Sequence, residues 1–157
     1  MDIVEKKIIS IGGGGFTHQT DKFLDEFVIN QIIDRKIKFG FLPTASKDNL
    51  NKIKVYYEEL KKYNLELSHF ELCSKVKGFS NWIMDQDIIY VGGGNTNFML
   101  DLWQANKLYK YYCFYSLILL PLCNFKEVII VRTVTIFLLK KLLKNCRKSQ
   151  KITLKIL

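Results

Sequence analysis

The sequence predicts an α/β protein: a parallel sheet with helices on both faces. Three observations lead there. Short apolar runs alternate with longer segments whose apolar residues recur at helical spacing. Several of the runs stop at glycine or proline, at 12–15, at Pro43 and at 92–94. The order strand, helix, strand, helix is the one that parallel strands require, because each must be reached by a crossover.

The elements follow in order. "KKIISI", 6–11, reads as a strand ended by "GGGG", 12–15. "TDKFLDEFVINQIIDR" reads as a helix capped by Thr20 or Asp21, with Phe23, Leu24, Phe27, Val28 and Ile32 on its apolar face. "IKFGFL", 37–42, is a second strand, stopped by Pro43. The next helix takes Asp48 as its expected N-cap and buries Ile53, Tyr56, Tyr57 and Leu60. "LELSHFEL", 65–72, alternates as a third strand. "SNWIMDQ" is a helical turn or two, "DIIYV", 87–91, a fourth strand, and "NTNFMLDLWQA" a helix burying Phe98, Met99, Leu102 and Trp103. The glycine clusters then fall along the carboxyl edge of the sheet, where open α/β sheets bind ligands.

Composition divides the chain. Residues 1–105 carry 13 basic and 14 acidic side chains, whereas residues 106–157 carry 11 basic ones and a single acid, Glu127. All nine glycines and both histidines lie before the break. Residues 1–105 therefore read as the N-terminal part of an α/β domain. Residues 106–157 read as an aberrant basic apolar tail not native to the fold, and a shifted reading frame explains the abruptness more simply than a second domain. Within it, "EVIIV" is able to pair as a strand and "TIFLLKKLLKNCRK" to form a basic amphipathic helix. The uncharged run 111–125 is too short for a spanning helix of about 20 residues and contains Pro121. No membrane partner is expected, and no nucleic-acid partner, since a solvated tail accounts for the lysines. The four cysteines show no C-x-x-C spacing, so no metal is expected. The first residues lack a signal-peptide pattern, and the expected location is cytoplasmic.

Taken singly, the motifs are weak. "GGGG" cradles an anion or simply turns the chain; it lacks the last glycine of G-x-G-x-x-G, where Thr17 stands, and the G-K-[ST] of a P-loop. "PTAS", 43–46, is a capped turn or a site edge. "GGGNT", 92–96, presents amides to a developing oxyanion, or connects strand to helix with Asn95 as the cap. His18 sits where a general base would be useful but reads better as a surface residue, and His69 as a structural one.

Together, "GGGGFT", "LDEFVI", "FLPTASKDN" and "DIIYVGGGNTNFMLDLW" resemble the dipeptidase E family of serine peptidases, over roughly residues 6–105. The resemblance implies a flavodoxin-like three-layer sandwich, like that of class I glutamine amidotransferases and here incomplete. It also implies hydrolysis of short peptides, aspartyl dipeptides in the type enzyme, with no cofactor. It assigns part of an oxyanion hole to the amides around Gly94 and Asn95, with Gly93 close by. The family's nucleophile lies on the next strand-to-helix turn, in a G-x-S-A-G elbow, with a histidine downstream. Neither is found here: no glycine follows Gly94, no histidine follows His69, and the only later serines are Ser116 and Ser149. No catalytic residue is therefore assigned, and the chain reads as a peptidase by descent without activity. The alternative is a non-catalytic protein that binds a small ligand or an anionic partner. An unusual nucleophile, Cys113 or Ser116, has neither a glycine turn nor a base near it in sequence.

Overall fold

The computed structural model describes residues 6–32, 36–108, 128–132 and 152–156. In chain order the elements are β1 (Lys6–Ile11), α1 (Lys22–Ile29), β2 (Ile37–Leu42), α2 (Leu50–Leu60), β3 (Leu65–His69), α3 (Phe79–Asp85), β4 (Ile88–Val91), α4 (Thr96–Ala105), β5 (Val128–Arg132) and β6 (Ile152–Ile156). The six strands form one sheet in the order β3-β2-β4-β5-β1-β6, and every neighbouring pair is parallel. The expected α/β class and open parallel sheet are therefore observed.

Side-chain alternation explains the layers. Phe39 and Phe41 of β2, with Ile88 and Tyr90 of β4, point to one face, where Leu24 and Val28 of α1 and Ile53, Tyr56 and Leu60 of α2 cover them. Leu42, Ile89 and Val91 point to the other, under Phe79 and Ile83 of α3 and Met99 and Trp103 of α4. A strand buried on both faces needs an unbroken apolar run, which β4 has. Gly40 lies on the α3 side, and a Cβ there would come within 2.8 Å of both Trp82 and Gln86. Its absence lets α3 approach closely enough for Trp82 Nε1 to donate to Ser68 Oγ at 2.9 Å.

Several boundaries differ from expectation. β3 ends at His69 because the chain then enters a turn in which Ser74 N–H donates to Glu71 O at 3.2 Å. α1 ends at Ile29, and Phe23 is 64% exposed rather than on the buried face, since that stripe runs through Leu24 and Val28. Asp21 precedes α1 in a left-handed conformation and makes no side-chain cap. The cap of α2 is Asn49, whose side chain accepts from Lys52 N–H at 3.2 Å, and not Asp48. Met99 and Trp103 are buried as expected, while Phe98 and Leu102 are half-buried.

Residues 128–132 pair between β4 and β1, in line with the strand capacity of "EVIIV", and residues 152–156 add an edge strand beside β1 that the pattern did not reveal. The apolar run 111–125 and the amphipathic pattern in "TIFLLKKLLKNCRK" lie outside the described residues. Among the described residues, no helix is long and apolar enough to cross a membrane.

Candidate functional site

β2 and β4 are neighbours, but the helices that follow them, α2 and α4, cover opposite faces of the sheet. The two chain exits lead to opposite faces, the arrangement at which open α/β sheets place a ligand crevice. Such a topological switch point is the habitual ligand site of open α/β sheets. The motifs "PTAS" and "GGGNT" are these two exits, so the fold brings together what the sequence keeps some 50 residues apart.

Backbone bonds tie the exits. Gly92 N–H donates to Leu42 O at 2.9 Å, and Asn95 N–H to Ala45 O at 2.6 Å. Gly94 adopts φ +155°, and a Cβ on it would stand 2.2 Å from Ala45 O, so only glycine fits beside the neighbouring exit. Asn95 Oδ1 then accepts from Phe98 N–H at 3.0 Å and caps α4. Of the three residues assigned to an oxyanion hole, Asn95 thus has its amide committed to Ala45. Among the described residues, the amides of Gly93 and Gly94 have no backbone partner. Gly94 is exposed and Gly93 half-buried, so both stand at the edge where a ligand would arrive.

A residue that the sequence did not single out joins them. Lys52, in the first turn of α2, extends its ammonium across the crevice and donates to Gly93 O at 3.0 Å. Its signal was absent from the sequence because a lysine on a half-exposed helix face looks like any solvated charge.

On the β2 side, Lys47 and Asp48 are both left-handed, at φ 55° and 51°. That double turn carries the Asp48 side chain inward, where Oδ2 accepts from Cys73 N–H at 2.6 Å. Burial raises the Asp48 pKa above its ordinary value, the Cys73 backbone bond opposing it. Burial, and then Asp48, pushes the Cys73 thiol up to about 11. A second buried carboxyl, Asp25 of α1, lies under the first glycine loop, where a Cβ on Gly15 would meet its Oδ1 at 2.9 Å. Burial raises its pKa to about 6 against the lowering effect of the Phe16 amide bond. Phe16 itself plugs the loop into the core, its ring 4.7 Å from Tyr90 and 5.5 Å from Tyr56.

Both histidines occupy peripheral places. His18 is exposed at the exit of β1, with Nδ1 3.4 Å from Gly14 O. His69 ends β3, with Nδ1 2.8 Å from Tyr57 Oη and Nε2 3.2 Å from Glu71 Oε1, both ring nitrogens held within the scaffold. The strand that follows β4 in the chain also lies beside it, and its last residue, Arg132, pairs in register with Ile11 at the carboxyl edge. The segment 128–132 contains neither serine nor glycine. Among the described residues, no cluster of acidic, histidine and cysteine side chains is arranged to hold a metal.

A family model, described as Peptidase family S51, matches residues 8–112. The chain belongs to peptidase family S51. The matched segment contains both exits of the switch point. The chain is also similar to the "Uncharacterized peptidase YgaJ" of Bacillus subtilis (strain 168), at 39% identity over 101 residues, which cover 63% of this chain and 44% of that relative. The match thus takes in less than half the length of that peptidase. A peptidase origin agrees with the resemblance to the dipeptidase E family drawn from the motifs.

Proposed function

We propose that this S51-family chain descends from a serine peptidase of short peptides, aspartyl dipeptides among them, and does not itself hydrolyse them. Its crevice is the oxyanion side of such a site. The observation that carries the reading is the pair of amides at Gly93 and Gly94, held at the switch point by bonds on either side and lacking backbone partners of their own among the described residues. In acyl transfer, such donors stabilise the charge that develops on the carbonyl oxygen of the scissile bond. That charge appears only when a nucleophile attacks and a base takes its proton. The strand next to β4 ends in Val131 and Arg132 where the resemblance calls for a serine on a glycine turn, and no histidine follows His69.

The test is hydrolysis of Asp-Leu by the purified chain, followed by amine release, together with labelling by a fluorophosphonate that marks activated serines. The expected result is no turnover above buffer and no labelled serine. Turnover accompanied by labelling of Ser116 or Ser149 would overturn the inactive reading, and turnover that survives replacement of Cys113 and Ser116 would dismiss both as nucleophiles.

A further inference from the structure

We infer that Lys52 is a positioning residue: it sets the direction in which the Gly94 amide points into the crevice. This rests on the reading of the glycine loop as an oxyanion element. The loop is tied at Gly92, whose N–H bonds Leu42 O, and at Asn95, whose N–H bonds Ala45 O. Between those ties lies the Gly93–Gly94 peptide, flanked by residues without Cβ atoms. A peptide flanked by glycines rotates readily about its neighbouring φ and ψ, and a rotation there would swing the amide away from the ligand.

Lys52 blocks that rotation. Gly93 C=O and Gly94 N–H belong to one peptide unit, which is trans, so they point in opposite directions. Holding the carbonyl at 3.0 Å from the ammonium therefore aims the amide the other way. The lysine is itself well placed to hold. Its own N–H is fixed by the Asn49 cap at 3.2 Å, and among the described residues no carboxylate competes for its ammonium within ion-pair distance. A charged donor on the carbonyl also polarises the peptide, which makes the Gly94 N–H a stronger donor. Lys52 stands on α2, packed on one face of the sheet, while the loop leads to α4 on the other. The contact therefore bridges the crevice and fixes a relation that neither helix sets alone.

The experiment follows the Gly94 amide by NMR in glycine-labelled protein, for the natural chain and for Lys52→Met, Lys52→Leu and Lys52→Arg. The probe is a phosphinic analogue of an aspartyl dipeptide, whose tetrahedral oxyanion mimics the reacting carbonyl. In the free protein, Lys52→Met is expected to move the Gly94 resonance and speed its hydrogen exchange, with melting little changed; Lys52→Arg restores both. With the probe, the natural chain is expected to show a downfield Gly94 proton shift. Lys52→Met loses that shift and binds about tenfold more weakly, the scale of one charge-assisted hydrogen bond. An unchanged Gly94 signal in free Lys52→Met overturns the inference, whatever the probe does. If the natural chain shows no probe binding while the free-state changes appear, the oxyanion reading fails and the positioning of the peptide stands. If Lys52→Met does not fold, Lys52→Leu, which also removes the donor, is read in the same way.

Discussion

The Asn95 amide donates to the Ala45 carbonyl at 2.6 Å, joining the exits of two neighbouring strands by one backbone bond. Around that bond there is no room for a side chain on Gly94, and the helix that begins at Thr96 is aimed by the Asn95 cap. This bond, with the one from Gly92 N–H to Leu42 O, holds the two exits together, and the Asn95 side chain then aims α4.

Replacement of Gly94 by alanine should therefore be costly. Its Cβ would overlap Ala45 O, at 2.2 Å, and its φ of +155° is unfavourable for an L side chain. A loss of about 2–4 kcal/mol is expected in urea unfolding. Gly13→Ala, where a Cβ meets nothing within 4 Å, should stay within about 0.5 kcal/mol of the natural chain.

Two phenylalanines should behave oppositely. Phe16 is fully buried among Phe41, Tyr56 and Tyr90, and Phe16→Ala should cost about 3–5 kcal/mol. Phe23 is 64% exposed, and Phe23→Ala should change stability by less than about 0.5 kcal/mol. Thermal melts of the two variants side by side check both.

Asp25 should leave a mark on the pH dependence of stability. Its folded pKa, about 6, lies above the ordinary 3.8, so the folded state binds the proton more tightly. The contribution is fully present below pH 3.8 and is lost as pH rises through 6. Asp25→Asn should remove that slope. The difference between natural and variant stability should change by about 1–2 kcal/mol across the window, after allowance for partial solvent screening.

Cys73 should resist alkylation near neutral pH, because burial and the adjacent Asp48 hold its thiol up to about 11. Asp48→Asn removes the anion and should lower that pKa, raising the alkylation rate at pH 8 about three- to tenfold. Iodoacetamide labelling of the Cys73 peptide, followed by mass spectrometry, measures it. An unchanged rate would show that the Asp48 carboxylate does not govern the reactivity of the thiol.

Much of this was legible before the structure. The apolar runs of β1 and β2 carry their observed boundaries, and Asn95 reads as a candidate cap, because such signals lie within a few residues of one another. For the same reason, local pattern does not separate neighbouring residues of similar chemistry. Asp48 and Asn49 are both good caps, and what separates them is a non-local partner, the Cys73 amide, that takes Asp48 inward. Phe23 and Leu24 both suit an apolar stripe, and the packing of α1 against the sheet chose Leu24.

Local pattern thus established the alternation of strands and helices, the punctuating glycines and the family likeness. Those features arise from backbone sterics and from periodicity along the chain, and both are written in consecutive residues. The strand order, the insertion of β5 between β4 and β1, and the meeting of Lys52 with Gly93 came from folding in three dimensions. Each joins residues distant in sequence, and their contact depends on which apolar faces pack together and which strand edges find hydrogen-bond partners.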